Sequence, residues 1–586
     1  MKKILLWTNV LVLLPLLLIL TGGCKKESVI SSTTDAVNMT SYFKKYPDEF
    51  SELTKILARS GTASFLNAYG SYTMFAPNNA AIKEYLSSIG KSAVEDLSED
   101  DWKNFVRFHL LEDSIATAQF TDGKLGKLTM YGQYLITGSS NINGVTKYRV
   151  NRQADIEHSN ISVGNGIIHV INHVLTPADQ TLAQLIEANS RYSIFTKALK
   201  ETGLYDTLNI LPANNTDAKK QWLTVIAESD SALNAKGIAD YSALKTKYSK
   251  SGNPSSFTDS LHLWVDYHIV YNAKYLADII TADAHNTLAP QEVLTSRLAG
   301  QTVLINDDEF NGVREPGFSL IRTYSDVTAN NGVLHDASEH FGIKLRSPYP
   351  IYFDVTSTSD FQKLTGYYQK VSYTFPPLEA YAWSDIKWSS TGSLSSDVKR
   401  SPIYQFGSGQ STSKTSYKQD ILVCPLGTST HPSWMEFRTP LVIKGKYKVW
   451  ICIYVQAEGS TTCEVQTTIR QDGVDSVQHQ LSNARTLSFT TKRPGLKKTV
   501  NGVSVDDPDA EEAIGWKSYM ESTAGAQIGR LVGIVDIKQT GRYWIRITPV
   551  NGKQFTNNVD MIQLIPSNMD QQYPKFKPDG TRIERP

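Results

Sequence analysis

The sequence has little cysteine, almost no net charge and none of the common short motifs of nucleotide-binding or hydrolytic sites. Four cysteines in 586 residues are too few for a disulfide-stabilised scaffold or an array of zinc sites. Lysine and arginine total 59 against 58 aspartate and glutamate residues, so the formal net charge is +1. Such a chain has no general field to attract nucleic acid, and we expect no nucleic-acid partner. With 40% hydrophobic and 20% charged residues the composition is that of a folded protein, and the length predicts several domains.

Glycine-rich segments are present, but they lack the spacing that a catalytic or nucleotide site requires. Gly407-Ser408-Gly409 is not the Gly-x-Ser-x-Gly turn that exposes a nucleophilic serine. Gly164-Asn165-Gly166 lacks the third glycine of a dinucleotide-binding loop, and no P-loop occurs. We therefore predict a protein without enzymatic activity, cofactor or metal site.

The N-terminus, residues 1–23, has the pattern of a secretory signal peptide. Lys2 and Lys3 precede the apolar run 4–20, small residues follow it, and the next residue is Cys24. The run is near the lower length limit for a membrane-spanning helix, which is the alternative interpretation. The segment 20–24 (LTGGC) resembles a bacterial lipobox, although its leucine stands one place further from the cysteine than usual. The resemblance implies acyl chains on Cys24 that insert into outer-membrane lipid.

Residues 24–38 are rich in serine and threonine beyond position 27 and are predicted to form a tether. Lys25 stands where an aspartate favours inner-membrane retention in many Gram-negative lipoproteins, and this favours the outer membrane. Lys26-Glu27 resembles, over two residues only, the signal that sends Bacteroidota lipoproteins to the cell exterior. We expect a lipid-anchored protein of the outer membrane that faces the exterior, with the periplasmic face as the open alternative.

Residues 39–177 alternate helical and strand patterns and contain two motifs about 95 residues apart. The first, 72–82 (YTMFAPNNAAI), is a β-prone run that ends at Pro77, after which Asn78 can cap a helix. The second, 165–175 (NGIIHVINHVL), reads as a strand that follows a turn. Both motifs, in this order and at this distance, resemble those of the fasciclin domain. The resemblance implies an α+β fold, and its motif residues here are Phe75, Pro77, Asn78, Gly166 and His169.

Two histidines of the second motif raise the question of a metal. His169 and His173 are four residues apart, but Val170 stands where the helical zinc motif requires glutamate. On a strand, residues four apart share a face, so a metal pair remains open on geometry alone. The favoured interpretation is two histidines that form hydrogen bonds within the domain.

Residues 179–345 contain the same landmarks in degraded form. The segment 222–233 (WLTVIAESDSAL) aligns with the first motif, with Glu228 in place of its proline, and 331–336 (NGVLHD) aligns with the second. Tyr267-His268 corresponds to Phe108-His109 of the first copy, and His335 corresponds to His169. The sequence therefore predicts a second fasciclin-like domain. A Tyr-His pair at this place is linked to integrin adhesion in animal fasciclin domains, but in this chain we interpret Tyr267 and His268 as structural.

Residues 350–567 lose the helical period and show alternating strands, such as 446–455 (KYKVWICIYV) and 542–550 (RYWIRITPV). Alternation of this kind predicts a β-sandwich with one face of each strand in the core. The Gly-x-Tyr strand starts at Gly445 and Gly541 resemble those of galactose-binding-like jelly rolls, which include many carbohydrate-binding modules. The resemblance implies an all-β jelly-roll sandwich and a glycan as a ligand to consider. Residues 568–586 read as an extended tail.

Sugar-binding platforms need exposed aromatic faces, and four tryptophans near turn-like sequence are candidates. They are Trp383, Trp388, Trp434 and Trp516. Burial in the core is the more frequent fate of any one tryptophan. Cys452 and Cys463 flank what reads as a hairpin, and an exported protein permits a disulfide between them, with Cys424 as the alternative partner.

The sequence thus predicts a multidomain, non-enzymatic lipoprotein that resembles surface lipoproteins of Bacteroidota. It would have two α+β fasciclin-like domains followed by the sandwich, and a binding or adhesion function with a protein partner. The alternative is an accessory subunit of a SusC/SusD-type uptake complex for glycans or peptides, in which the sandwich captures ligand. Both rest on likeness of architecture.

Overall fold

The computed structural model describes residues 37–66, 70–142, 145–310, 313–374, 383–389, 401–407, 413–423, 425–427, 431–455, 464–473, 478–481, 487–488, 493–521, 526–550 and 558–586. These residues form two compact units, one that ends at Pro177 and one from Ala178 to Pro586. The predicted signal peptide, Cys24, most of the tether and Cys463 lie outside the described residues. No helix in the described ranges is long and apolar enough to span a bilayer.

The first unit is an α+β domain. Its helices are α1 (Met39–Lys45), α2 (Pro47–Arg59), α3 (Thr62–Phe65), α4 (Asn79–Ser88) and α5 (Glu99–His109). Its strands are β1 (Tyr72–Pro77), β2 (Leu110–Leu111), β3 (Gly123–Leu128), β4 (Tyr134–Ile142), β5 (Val145–Val150), β6 (Ala154–Val163) and β7 (Gly166–Ile171).

Within its described residues, these seven strands form one sheet in the order β2-β1-β7-β6-β5-β4-β3. The two motif strands β1 and β7 are parallel neighbours near one end of the sheet, and Phe75 pairs with His169. Every residue of β1 is buried, which agrees with its unbroken apolar character, because parallel strands are usually covered on both faces. The helices α2 and α5 bury their apolar stripes against this part of the sheet.

The second unit opens with a domain that repeats this arrangement. Its helices are α6 (Leu182–Glu187), α7 (Ser193–Thr202), α8 (Leu204–Leu208), α9 (Asp230–Asn234), α10 (Tyr241–Tyr248), α11 (Ser260–Tyr267) and α12 (Leu276–Ile279). Its strands are β8 (Leu223–Glu228), β9 (Ile269–Tyr271), β10 (Ala284–Asn286), β11 (Val293–Ala299), β12 (Thr302–Ile305), β13 (Asp308–Phe310), β14 (Val313–Glu315), β15 (Phe318–Ser319), β16 (Val327–Ala329) and β17 (Gly332–Ala337).

In this domain β8 and β17 are again parallel neighbours, flanked by β9 and β16. Their register pairs Ile226 with His335 and Glu228 with Ala337, as Phe75 pairs with His169 and Pro77 with Ile171 in the first domain. This confirms the predicted repeat, including Glu228 in place of the proline. The strands β10, β11, β12 and β15 form a separate small sheet, and β13 and β14 form a hairpin.

The C-terminal region is rich in strands. They are β18 (Ile351–Asp354), β19 (Tyr373–Thr374), β20 (Ile386–Trp388), β21 (Ile403–Phe406), β22 (Asp420–Val423), β23 (Met435–Arg438), β24 (Gly445–Tyr454), β25 (Glu464–Gln471), β26 (His479–Gln480), β27 (Leu487–Ser488), β28 (Lys497–Val500), β29 (Val503–Asp506), β30 (Trp516–Lys517), β31 (Gln527–Ile537), β32 (Tyr543–Pro549), β33 (Asn558–Pro566), β34 (Lys575–Phe576) and β35 (Arg582–Ile583). Two short helices accompany them, α13 (Ser359–Gln362) and α14 (Pro508–Ala513).

Two antiparallel sheets enclose one core in this region, as the alternating strands predict. The larger sheet has the order β19-β21-β22-β33-β24-β31-β30, with β18 paired to β33, and the smaller has the order β20-β23-β32-β25-β26. Residues of β24 alternate between this core and the outer face of the larger sheet, because side chains on a strand alternate sides.

The last residues are not the extended tail that the sequence predicts. They form the hairpin β34–β35, and Phe576 is fully buried against the outer face of the larger sheet. Gln571 accepts a hydrogen bond from Nε1 of Trp450 at 2.9 Å, and its carbonyl accepts one from Nζ of Lys517 at 2.8 Å. Although this segment is rich in prolines and charges, Phe576 covers an apolar face of the sheet. Gln571 accepts hydrogen bonds from the buried donors of Trp450 and Lys517.

Candidate functional site

The histidine of the second motif in the first domain is a buried structural residue. The ring of His169 stacks on Phe75 at a centroid distance of 5.3 Å. Its Nε2 donates to the carbonyl of Ile115 at 2.9 Å, and its Nδ1 accepts from the amide of Asn160 at 3.3 Å. These two bonds fix one neutral tautomer. Burial also lowers the pKa of His169, which keeps the ring uncharged.

His173 lies in a different environment and does not join His169 in a metal pair. Its side chain is 46% exposed, next to Asn172 Oδ1 at 2.8 Å and Glu84 Oε2 at 3.6 Å. Both ring nitrogens of His169 already have partners in the protein interior. Within the described residues, no group of three or more histidine, cysteine, aspartate or glutamate side chains could hold a metal ion.

The other motif residues of the first domain shape the backbone. Pro77 ends β1 in a buried position, and Asn78 then caps α4 by accepting a hydrogen bond from the amide of Ala81 at 2.8 Å. Gly166 has a φ of +146°, and a Cβ at this position would lie 1.9 Å from the carbonyl oxygen of Tyr72. Only glycine allows β7 to approach β1 this closely.

The corresponding polar residues of the second domain are also internal. Nε2 of His335 donates to the carbonyl of Lys274 at 2.8 Å, and its Nδ1 accepts from the amide of Asp326 at 3.3 Å, as in His169. Tyr267 is fully buried, and its hydroxyl donates to the carbonyl of Val293 at 3.0 Å. His268 is fully buried as well. Both side chains are buried, so neither can reach a partner at the surface, which agrees with the interpretation of Tyr267 and His268 as structural.

Glu228, the residue in place of the motif proline, is the centre of a buried polar cluster. Its side chain is fully buried, with Oε1 2.9 Å from Nε2 of His268 and Oε2 2.7 Å from Nδ1 of His340. The amide of Phe341 also donates to Oε1, at 2.8 Å. Burial alone would raise the pKa of Glu228, but the hydrogen bonds from both histidines outweigh it and the pKa is lowered.

Counting donors shows that Glu228 and His268 hold one proton between them. Nδ1 of His268 faces the carbonyl of Trp264 at 2.7 Å, and a carbonyl only accepts, so Nδ1 carries a hydrogen. The contact between Nε2 and Glu228 then needs a further proton, on one side or the other. His340 needs no extra proton, because its Nε2 can accept from the hydroxyl of Tyr248 at 2.8 Å.

In the first domain, the histidine equivalent to His268 is His109, and it has no carboxylate partner among its hydrogen bonds. There the amide of Leu175 donates directly to Nε2 of His109 at 3.0 Å, while Nδ1 of His109 donates to the carbonyl of Phe105 at 2.7 Å. The carboxylate of Glu228 is thus inserted between the second domain's equivalents of Leu175 and His109. Sequence reasoning took the exchange of proline for glutamate as loss of a motif and missed the cluster. The signal was a glutamate that directly follows five strand-forming residues.

A second buried group, also missed, lies in the larger sheet of the sandwich. Asp354, Asp420 and Asp560 are each at most 3% exposed. Oγ1 of Thr356 lies 2.8 Å from Oδ1 of both Asp354 and Asp420, although one hydroxyl can donate only once. Both contacts can be hydrogen bonds only if one of the two carboxyls is protonated and donates to Oγ1 of Thr356.

The electrostatics agree with a protonated carboxyl. Burial first, and then the charge of Asp354, raises the pKa of Asp420 to about 8. Burial likewise raises the pKa of Asp560, whose Oδ2 accepts from the hydroxyl of Tyr519 at 2.6 Å. Nζ of Lys418 lies 3.6 Å from Oδ2 of Asp354. Acidic residues within apolar strand sequence were the signal that sequence reasoning did not use.

The predicted tryptophan platform is wrong for three of its four members. Trp383, Trp388 and Trp516 are at most 8% exposed and belong to the core between the two sheets. Turn-like sequence near these residues suggested exposed rings, but the rings pack between the two sheets. Trp434 alone of the four is half-buried, and the guanidinium of Arg546 lies 3.9 Å from its ring centroid.

Cys452 is a free cysteine in the structure. Its predicted disulfide partner Cys463 and the alternative partner Cys424 lie outside the described ranges. The side chain of Cys452 is fully buried on the outer face of β24 beside Tyr519 and Met561. Burial raises the pKa of this thiol to about 12, so it stays protonated and unreactive.

A cavity of about 300 Å³, partly open to solvent, lies between the second domain and the sandwich. Asn272, Asp283 and Asn286 line it from the domain, and Arg438 and Arg542 line it from the sandwich. Nε of Arg542 lies 2.6 Å from Oδ2 of Asp283, and Nη2 of Arg438 lies 3.5 Å from the same oxygen. No sequence pattern indicated this cavity, because its walls are about 150 residues apart along the chain.

Comparison with known proteins identifies the repeated domain. The family described as "Fasciclin domain" matches residues 48–177 and 190–338. Protein sll1483 of Synechocystis sp. is 25% identical over 154 residues, which are 26% of this chain and 82% of that protein. Transforming growth factor-beta-induced protein ig-h3 of Sus scrofa is 24% identical over 135 residues, which are 23% of this chain and 19% of that protein.

Solved structures give weaker likenesses. A FAS1 domain pair from the insect cell adhesion molecule fasciclin I is 16% identical, with a TM-score of 0.22 over 49% of this chain and 94% of that one. A xanthan lyase of Paenibacillus is 8% identical, with a TM-score of 0.21 over 52% of this chain and 24% of that one. Scores this low carry no argument about function. The sequence matches and the repeated parallel strand pair agree: the chain contains two fasciclin domains, at 48–177 and 190–338, followed by a sheet-rich C-terminal region.

Proposed function

We propose that the protein is a non-enzymatic binding and adhesion module, held at the outer membrane by lipid on Cys24 and facing the cell exterior. Fasciclin domains generally act in adhesion and binding. The observation that carries the proposal is that the motif histidines His169, His268 and His335 all form hydrogen bonds inside their domains. The polar motif residues thus stabilise the scaffold, and a partner protein would contact other, exposed residues.

The anchor is tested by substitution of Cys24. The Cys24→Ala variant should move from the membrane pellet to the soluble fraction, because a chain without acyl groups has no stable attachment to lipid. Ser28→Ala, in the same tether, is the matched control and should remain in the pellet. Retention of Cys24→Ala in the membrane would contradict the lipid anchor.

The sandwich supports a second candidate, the accessory subunit of a SusC/SusD-type uptake complex that resembles those of Bacteroidota. Its two antiparallel sheets around one core, with the first strand β18 paired to the last strand of that sheet, β33, support the jelly-roll class that includes carbohydrate-binding modules. In this proposal the fasciclin domains dock on the transporter and the sandwich faces the glycan or peptide.

A pull-down from outer membranes in mild detergent separates the two candidates. Stoichiometric recovery of a TonB-dependent barrel with a SusD-like protein would establish the uptake-complex subunit. Recovery of the lipoprotein alone, together with attachment to cells or matrix that is lost in Cys24→Ala cells, would establish the adhesin. Failure of both outcomes would overturn the proposed function.

A further inference from the structure

The cavity between the second fasciclin domain and the sandwich has walls from both, and ion pairs join them. Asp283 of the domain contacts Arg438 and Arg542 of the sandwich. Lys444 and Glu292 form a further ion pair across the same junction. Because these contacts connect the two walls directly, the cavity has a defined shape.

The two arginines of the cavity are paired with carboxylates. Arg438 contacts Asp472 through Nε at 2.6 Å as well as Asp283, and Arg542 contacts Asp283. A carboxylate next to each guanidinium weakens its attraction for a further anion. The third cation of the lining, Lys274, has its Nζ 3.0 Å from Nδ1 of His285. The two arginines therefore do not favour an anionic ligand.

Neutral amides contribute further hydrogen-bonding groups to the lining. Asn272, which is exposed, and Asn286, which is half-buried, both line the cavity, and within the described residues neither side chain makes a hydrogen bond. The amide of Gln471 has one long contact, 3.5 Å to Gln539. Each amide offers two donors and an acceptor with two lone pairs. Tyr271 adds an aromatic ring, and Ala282 is among the few apolar lining residues.

We propose that this cavity binds a saccharide unit. A sugar is neutral and carries adjacent hydroxyl groups, each of which both donates and accepts, as the free amides require. The cavity is at the lower end of the range for small-molecule sites, which is about 300–1,000 Å³, and so suits one terminal unit of a glycan. The inference rests on the proposed binding function and names a ligand class and a site for it.

The test is ligand-observed NMR on the full chain in detergent, with galactose, glucose, mannose, xylose and N-acetylglucosamine. Each sugar is used at about 10 mM, which saturates a site of millimolar Kd. The variant Asn272→Gly/Asn286→Ala removes both free amides, and glycine tolerates the φ of +69° at position 272. Ala282→Phe fills the cavity independently of the amides. Asn234→Ala, an exposed asparagine of the same domain outside the cavity, is the control.

The proposal expects binding of at least one sugar, reduced tenfold or more in both cavity variants and unchanged in Asn234→Ala. Absence of a signal from every sugar of the panel would overturn it. Sugar binding that survives both cavity variants would place the ligand elsewhere and overturn the junction site. The pull-down and attachment assays do not depend on sugar binding at the cavity. A negative NMR result therefore contradicts the sugar site without contradicting the proposed function.

Discussion

Oε1 of Glu228 lies 2.9 Å from Nε2 of His268, at the position where the first fasciclin domain has Pro77 and needs no charge. The same oxygen accepts the amide of Phe341, as Nε2 of His109 accepts the amide of Leu175 in the first domain. One fasciclin scaffold therefore closes this corner in two ways, once with a neutral imidazole and once with a carboxylate. Because the second domain uses the carboxylate of Glu228, its stability should depend on that side chain and should decrease in acid.

Glu228→Ala should destabilise the second fasciclin domain by about 3–5 kcal/mol, because it leaves buried His268 and the Phe341 amide without their partner. The control Glu309→Ala removes an exposed glutamate of the same domain and should change stability by less than about 0.5 kcal/mol. Urea unfolding followed by hydrogen exchange of peptides from 223–228 and 332–337 measures the change in this domain. Equal stability of the two variants would show that the cluster contributes nothing.

Acid should destabilise the second domain through the same residue. The folded-state pKa of Glu228 is lowered from its ordinary value of 4.5, so its stabilising contribution is present above pH 4.5. That contribution is lost as the pH falls through the folded-state pKa. Hydrogen exchange between pH 6 and pH 3 should show the 332–337 strand losing protection in the wild type. In Glu228→Ala the protection of this strand should depend less on pH, and an unchanged dependence would contradict the assignment to Glu228.

The sandwich should respond to pH in the opposite sense. Because the folded-state pKa of Asp420 is raised from 3.8 to about 8, folding favours its protonated form. The stability that this proton contributes is present below pH 3.8 and is lost as the pH rises through about 8. The sandwich should therefore unfold at higher urea concentration at pH 5 than at pH 8.

Asp420→Asn removes one of the buried carboxyls whose pKa is raised, and it should stabilise the sandwich at pH 8 by at least about 1.4 kcal/mol, the free energy of one pKa unit. The exposed Asp536→Asn, from the same sheet, is its control and should retain the wild-type pH dependence. Urea midpoints of all three proteins at pH 5 and pH 8 measure the effect. A wild-type pH dependence in Asp420→Asn would mean that another group titrates.

Gly166→Ala should unfold or severely destabilise the first fasciclin domain, because the new Cβ would lie 1.9 Å from the carbonyl oxygen of Tyr72. The expected loss exceeds about 3 kcal/mol, since backbone rather than a flexible side chain must move. Gly126→Ala in β3 of the same sheet meets no atom within 4 Å and is the control. Thermal unfolding with hydrogen exchange of residues 72–77 separates the two, and similar midpoints would contradict the close approach of β1 and β7.

Trp388→Ala should cost about 3–5 kcal/mol of sandwich stability, the range for loss of a large aromatic side chain from a core. Trp434→Ala, at the half-buried tryptophan beside Arg546, should cost less than half as much. Urea unfolding of the full chain measures both. A Trp388→Ala variant of normal stability would reopen the case for that ring as a ligand platform.

Sequence reasoning predicted the domain repeat, because its landmarks are local motifs. The alignment of Glu228 with Pro77 and of His335 with His169 follows from strings of adjacent residues, and the register of the parallel strands confirms it. The alternating strands of the C-terminal region likewise predicted two sheets with a shared core.

What the sequence did not predict depends on contacts between distant segments. Trp383 and Trp388 follow turn-like sequence, but whether a ring is covered depends on strands that pair far along the chain. Phe576 is buried against the outer face of β24 and β33. The alternation of apolar residues along a strand does not show what covers its outer face. The junction cavity combines Asp283 with Arg438 and Arg542, and no periodicity connects residues in different domains.

The strand β33, which begins at Asn558, has a consequence for the order in which the sandwich folds. It lies between β22 and β24 and also pairs with β18, so the earliest and nearly the latest strands of the sandwich are direct neighbours. All other strands of the larger sheet precede β33 in the chain, so a chain that is delivered N-terminus first presents the central strand of this sheet last. Both fasciclin domains can fold before β33 arrives, since domains fold as units in chain order. Until then β22 and β24 each have an unpaired edge, which is open to association with another strand.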